Sequence, residues 1–277
     1  MKIEMAQYIA GLIEADGTIH WYQHGEFKQL GLAISSSDIN FLKKIVLLTS
    51  DDNLMWKLNC GTKKRYTFFP GGKNYDTPPN YQLKLYHYPS IKILLTFISP
   101  YLYGLKSCGL GAIFEILDLY KVRGKKEERA KLFKLYQTIQ DNAEERLDVP
   151  PSSWMAGFLD GDGTISINGF VSIFNSDIQM LKVLKRYLDL GSYKYHAYEN
   201  VGGCVSYVLK SKSRYFFLKE IEPYLIYKKD KAVRLLERLE SVETICSAPV
   251  NHSMQDEDIV RPVWRHTDVY RNIYTPS

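Results

Sequence analysis

The sequence predicts an α+β protein in which one αββαββαα unit is used twice in tandem. Three observations predict it. A segment near the N-terminus returns 146 residues later, further landmarks match in the same order, and each copy switches between helical and strand periodicity. Residues 8–19 read YIAGLIEADGTI and residues 154–165 read WMAGFLDGDGTI; they share Ala10/Ala156, Gly11/Gly157, Asp16/Asp162, Gly17/Gly163, Thr18/Thr164 and Ile19/Ile165. Residues 37–43 answer 176–182 at an offset of 139, and residues 98–102 answer 221–225 at 123. The shrinking offset places extra residues in the first copy, within the Gly/Pro/Lys-rich stretch 61–80.

Each element follows from its residues. The repeated motif is apolar and ends in glycine, as expected of a buried helix stopped by a C-terminal glycine. TIHWYQHGEFKQLGLAI, and more compactly TISINGFVSIF, read as strand pairs; Asn168-Gly169 is a two-residue hairpin signal. Ser37/Asp38 and Ser176/Asp177 cap the next helix. A second strand pair is expected around 54–69 and 81–88, and at 192–198 and 204–210. Two helices then end each copy, near 90–98 and 107–121, and near 212–221 and 229–241. The predicted organisation is 1–121 for the first domain, a charged helical linker at 122–151 ended by Pro150-Pro151, 152–241 for the second domain, and an acidic tail at 242–277.

At 277 residues and 32.1 kDa, with 45% hydrophobic and 24% charged residues, the chain is long enough for two small domains with a sizeable core. It holds no apolar run of about 18 residues, and its first apolar stretch is interrupted by acids, so neither a membrane span nor a cleaved signal peptide is expected. Cys60, Cys108, Cys204 and Cys246 form no CxxC pair, which argues against a disulfide scaffold or structural zinc and for a soluble protein of a reducing compartment. The net charge of +5 is unevenly spread. Residues 17–126 carry 15 Lys/Arg against 7 Asp/Glu, residues 163–238 carry 13 against 7, and residues 239–277 carry 3 against 6. Two basic blocks suit a polyanion touched in two places; ordinary solvated surface is the competing explanation.

Small residues recur four apart in each motif, Gly11 with Ala15 and Gly157 with Gly161. That spacing lets two helix backbones approach closely, so the motif helices are expected to pack on each other as the interface between the copies. Asp16 and Asp162 then meet at two helix C-termini, where the dipole and their mutual repulsion both disfavour negative charge. A divalent cation held by hard oxygens and touching a substrate phosphate would resolve the conflict. A single Asp-Gly at a helix end would be an ordinary turn; its retention in both copies favours the functional reading. No P-loop, GxGxxG or nucleophilic triad competes, and the histidines are scattered.

IAGLIEADG (9–17) and MAGFLDGDG (155–163) resemble the signature of the LAGLIDADG homing endonucleases, and two copies in one chain resemble the single-chain, pseudo-dimeric branch. The resemblance covers nearly all of residues 6–241. It implies a pseudo-twofold saddle of antiparallel sheets along the DNA major groove, with the motif helices at the centre. It also implies a monomer that hydrolyses both strands with Mg²⁺ (Mn²⁺ or Ca²⁺ substituting for binding), leaving short 3′ overhangs. The metal-binding acids it implies are Asp16 and Asp162, with Glu14 and Asp160 structural. A basic residue near the metals follows a Pro-aromatic-Leu segment in such proteins; here Lys106 follows Pro100-Tyr101-Leu102, and Lys228, with Lys229 adjacent, follows Pro223-Tyr224-Leu225. Negative charge on the transition state needs such a cation. Asn40 and Gln179 occupy matching positions near the capped helix.

DNA contacts are expected on the strands, where alternate side chains share a face. The candidates are His20, Tyr22, Gln29, Lys57, Asn59, Lys84, Tyr86, Ser166, Asn168, Lys194, His196 and Lys210, with a basic loop at Lys63, Lys64 and Arg65 for phosphates. A target of ~20 bp follows if each copy tracks about one helical turn. The alternative is an RNA-binding maturase that takes host intron RNA as its partner and assists group I intron splicing. An intein-embedded nuclease is disfavoured, because neither a terminal splicing Cys nor a His-Asn ending is present. The protein is expected inside the cell, in a mitochondrion, a chloroplast or the microbial cytoplasm.

Overall fold

A computed structural model describes residues 1–24, 27–60, 65–67, 74–76, 79–122, 124–141, 148–166, 169–199 and 205–247. Met1–Glu240 form one compact unit and Ser241–Ser277 a second. Within the first unit the chain runs through its α+β repeat twice. The first copy is α1 (Ile3–Asp16), β1 (Gly17–His24), β2 (Phe27–Ser36), α2 (Ile39–Leu48), β3 (Trp56–Cys60), β4 (Arg65–Thr67), β5 (Asn74–Asp76), β6 (Tyr81–Leu85), α3 (Tyr88–Ile98) and α4 (Leu110–Asp118). The linker helix α5 (Lys126–Asp141) follows. The second copy is α6 (Ser152–Asp162), β7 (Gly163–Ile165), β8 (Val171–Asn175), α7 (Ile178–Leu190), β9 (Tyr195–Glu199), β10 (Val205–Leu209), α8 (Ser211–Ile221) and α9 (Lys229–Ser247).

The strands form two antiparallel sheets with one topology, β1-β2-β6-β3 and β7-β8-β10-β9. Register repeats with the topology: Thr18 faces Ala33 and Ala33 faces Lys84, as Thr164 faces Ser172 and Ser172 faces Val208. The extra length of the first copy lies in two places. The connection between β3 and β6 carries the added β4-β5 pair, as the sequence indicated, but β1 and β2 are also longer than β7 and β8, and this accounts for the first drop in offset. Asp38 and Asp177 cap their helices as expected, each accepting hydrogen bonds from two backbone N–H groups of the first turn.

A glycine ends each motif helix, as expected, though not by the usual backbone conformation. Gly17 and Gly163 do not close their helices in the left-handed conformation that favours glycine; φ is −87° and −98°, so each motif helix passes directly into its strand. A side chain there would meet the helix's own last turn, 2.5 Å from Ile13 Cα at Gly17 and 2.2 Å from Leu159 Cδ1 at Gly163. Glycine is used for closeness rather than for handedness.

The centre of the first unit is the pair α1 and α6, buried along almost their whole length. A Cβ on Gly11 would lie 2.0 Å from Trp154 O, and one on Gly157 would lie 1.9 Å from Tyr8 O. Position 154 is the repeat-mate of position 8, so the two contacts are the same contact seen from opposite helices. Gly161 extends it, since a Cβ there would lie 2.5 Å from Ala15 Cβ. All four small residues expected at the interface are therefore in it. A second reciprocal contact flanks the helices: Phe41 of α2 stacks on Tyr227, with ring centroids 5.0 Å apart, and its repeat-mate Met180 of α7 lies against Gly104, the repeat-mate of Tyr227. The linker helix α5 packs on the first half, Phe133 stacking on Trp21 of β1. Among the described residues no helix is long and apolar enough to cross a membrane.

Candidate active site at the ends of the paired helices

Asp16 and Asp162 are the last residues of α1 and α6, so close packing of these helices brings the two carboxylates together at two dipole C-termini. Both are half-buried, and both titrate above the ordinary carboxylate range. Loss of solvent is the main cause for each. For Asp162 the neighbouring Asp16 charge adds to it, and its pKa reaches about 6. Lys106 and Lys228 act on both acids in the opposite direction, so these four side chains share one electrostatic neighbourhood.

The two lysines arrive by equivalent routes. Glu14 is buried, and its Oε1 accepts hydrogen bonds from the backbone N–H groups of Tyr103 and Gly104 at 3.0 and 2.8 Å. Asp160 is buried likewise and accepts from the N–H groups of Ile226, Tyr227 and Lys228 at 2.8–2.9 Å. These earlier acids of the motif clamp the loops that carry the lysines. Lys106 Nζ then donates to Glu14 O at 2.8 Å and stands 4.0 Å from the Glu14 carboxylate. Lys228 Nζ donates to the carbonyls of Leu159 and Asp160 at 2.6 Å and of Gly161 at 3.2 Å. Burial lowers the Lys228 pKa to about 8 against the pull of three nearby aspartates. Of the two adjacent lysines, Lys228 is the one at the helix end beside the acids, while Lys229 turns away to Glu222, 3.3 Å distant.

Two residues of this site carried no signal in the motif comparison. Asn175 ends β8; its Oδ1 accepts from Asp177 N at 2.7 Å and its Nδ2 donates to Asp162 Oδ2 at 2.8 Å. Its repeat-mate Ser36 keeps the first bond, accepting from Asp38 N at 3.1 Å, but has no amide to offer. Tyr8 crosses from α1 to donate to Asp160 Oδ2 at 2.6 Å. Asn175 is not singled out by the sequence pattern, and Tyr8 reads there only as the start of an apolar helix motif. Asn40 is exposed beside the Asp38 cap, and Gln179 sits at the matching place beside Asp177.

The expected strand candidates divide cleanly by face. Leu30, Leu32, Ile34, Leu83 and Leu85 point into the core, so His20, Gln29, Lys57, Asn59, Lys84 and the following Tyr86 occupy the opposite face of the first sheet. In the second sheet Ile165, Val171, Ile173, Tyr207 and Leu209 face inward, which leaves His196 on the outer face and Ser166, Lys194 and Lys210 on its margin. The backbone places Tyr22 on the outer face and Arg65 on β4, while their side chains are outside the description; Lys63, Lys64 and Asn168 lie outside the described residues altogether.

No family model matches the sequence, and no curated protein does. Solved structures do match the fold. The LAGLIDADG homing endonuclease I-GzeII, crystallised with its DNA target, has a TM-score of 0.59 at 15% identity over 89% of this chain and 93% of its own. The LAGLIDADG meganuclease I-AabMI, bound to uncleaved DNA, gives 0.59 at 13% identity over 87% and 92%. I-SmaMI, bound to an uncleaved DNA target with calcium ions, gives 0.58 at 12% over 87% and 92%. The fold of this chain is thus that of the LAGLIDADG homing endonucleases.

Proposed function

We propose that this chain is a site-specific, intron-encoded DNA endonuclease that acts as a monomer and hydrolyses one phosphodiester on each strand of a long duplex target, leaving 3′ overhangs. One observation carries the reading: two carboxylates from the two repeats meet at paired helix C-termini, each beside a lysine delivered by an anchored loop, at the point where two antiparallel sheets begin.

The donor set fits a divalent cation. Asp16 and Asp162 present hard oxygens to each other across an arrangement that repels a second negative charge, and a shared cation removes that cost. Among the described residues no third His, Cys, Asp or Glu joins the two aspartates in a ligand group, so water and substrate phosphate oxygens would have to complete the coordination. Bound there, Mg²⁺ would supply Lewis acidity toward the phosphate and the leaving 3′ oxygen. Asp16 and Asp162 would hold that cation between the halves. Lys106 and Lys228 place positive charge where the phosphoryl group gains negative charge. Glu14 and Asp160 keep those lysines in place through the loops at 103–104 and 226–228. The outer sheet faces, with their basic margins, suit the major groove and its phosphates.

The test is a cleavage selection from a randomised duplex library in Mg²⁺. Recovery of one consensus of ~20 bp, with both strands cut, is expected. Uncut libraries, together with tight binding of a host intron RNA, would replace this reading with the maturase alternative.

A further inference from the structure

The two sheets occupy equivalent places in the repeat, so their registers can be compared position by position, and their outer faces do not carry the same chemistry. The row Ala33–Lys84–Lys57 of the first sheet corresponds to Ser172–Val208–His196 of the second. The next row, Ser35–Gln82–Asn59, corresponds to Phe174–Ser206–Tyr198. Across these rows a lysine is exchanged for Val208, a serine for Phe174 and an asparagine for Tyr198. The exchanged residues are not buried: Phe174 and Tyr198 are 36% and 52% exposed. The first sheet therefore presents Lys84 and Asn59 where the second presents Val208 and Tyr198, and Phe174 stands where the first sheet has Ser35, among the shorter polar side chains of Ser172, Ser206 and His196.

From this contrast we infer that the two halves of the DNA target are read by different chemistry, an inference that rests on the DNA-cleaving function proposed above. The first sheet directs Lys57, Lys84, Gln82 and Asn59 at purine edges, where lysine suits the O6 and N7 acceptors of guanine and an amide suits adenine. The second sheet directs Phe174 and Tyr198 at thymine methyl groups, the apolar feature of the major groove. The occupant follows from the face itself. Both rows lie on the side of the sheet away from the core, in sheets whose first strands, β1 and β7, follow directly from Asp16 and Asp162, and the two faces differ in charge and polarity rather than in position. The target is then asymmetric in composition: one half holds guanines and adenines at contacted positions, and the other is rich in thymine.

The experiment uses the full chain and a duplex recovered by binding selection from a random library. Retention of no defined duplex would refute the DNA reading itself. With a consensus in hand, every dT is replaced by dU in one half at a time, which deletes methyl groups while keeping base pairing. Affinity should fall about fourfold for each contacted methyl in the half served by the second sheet, and stay within about twofold in the other. In the double variant Phe174→Ala/Tyr198→Ala, whose side chains are exposed, that loss should disappear. Replacing dG by 7-deazaguanine should weaken the opposite half, and the double variant Lys57→Ala/Lys84→Ala should erase that effect. Equal losses in both halves for either modification, or a dU effect that survives in the double variant, would overturn the inference while leaving specific DNA binding intact.

Discussion

The hydroxyl of Tyr8 on the first motif helix donates to Asp160 on the second at 2.6 Å, and the same carboxylate receives three backbone N–H groups from the loop bearing Lys228. A residue of one half thus steadies the lysine of the other. Burial and the Asp160 charge raise the Tyr8 pKa well above its ordinary value, so the phenol remains a donor throughout the working range. Tyr8→Phe should cost about 2 kcal/mol, the worth of a hydrogen bond to a charged group, read as a lower denaturant midpoint with an unchanged slope. A midpoint equal to that of the parent would mean that the loop is held by its backbone bonds alone.

Gly11 and Gly157 set the approach of the motif helices. Because an added methyl at either would meet backbone carbonyl oxygen rather than a side chain that can swing away, Gly11→Ala and Gly157→Ala should each destabilise by roughly 3 kcal/mol or more. Thermal melts of both variants check this, and Gly111→Ala serves as the control, since nothing lies within 4 Å of its Cβ position.

Asp162 titrates near 6 in the folded chain, above its ordinary value of 3.8. For an acid raised in this way the native state binds the extra proton, so the associated stability is present below the unfolded pKa and is lost as pH rises through about 6. Melts in a chelator should therefore show Asp162→Asn more stable than the parent at pH 7, by on the order of 2 kcal/mol, and nearly equal to it at pH 4. Adding Mg²⁺ at pH 7 should stabilise the parent more than the variant. A variant less stable than the parent at pH 7 without metal would contradict the repulsion between the two acids.

Catalysis separates the acids from the lysines. Asp16→Asn and Asp162→Asn should each lower single-turnover cleavage by about a thousandfold while binding is largely kept. Lys106→Ala and Lys228→Ala should slow the same step about a hundredfold at saturating DNA, with Lys229→Ala as the control. Normal cleavage by either asparagine variant would remove the shared metal, and unchanged rates in the lysine variants would leave Lys106 and Lys228 as loop supports.

Much of this arrangement is legible in the sequence because duplication converts a weak pattern into a repeated one. Gly11 and Gly157, or Asp16 and Asp162, say little singly; at one offset and in one context they indicate a helix pair and a shared centre. Asp38 and Asp177 were readable as caps because capping depends on neighbours two and three residues away. What stayed hidden depends on contacts across the fold. The reach of Asn175 to Asp162 follows from how β8 ends beside α6, and no local periodicity encodes it. Lys228 could not be separated from Lys229 by counting, because the loop after Leu225 differs by one residue between copies, and only the clamp on Asp160 decides which lysine turns inward. Strand faces were undecided for a similar reason: the polar, aromatic-rich strands lack clean alternation, and the buried leucines of β2 and β6 resolve them only in register.

Since α1 runs into β1 and α6 into β7 without an intervening loop, the helix pair acts as a ruler. Nothing between the crossing point and the strands can take up slack, so the distance between the two reading faces is fixed where Gly11 meets Trp154 and Gly157 meets Tyr8. On the proposed function, the number of base pairs separating the two recognised half-sites is a property of those two glycines. A change of target sequence can be made on the sheets alone, whereas a change of target spacing requires rebuilding the helices.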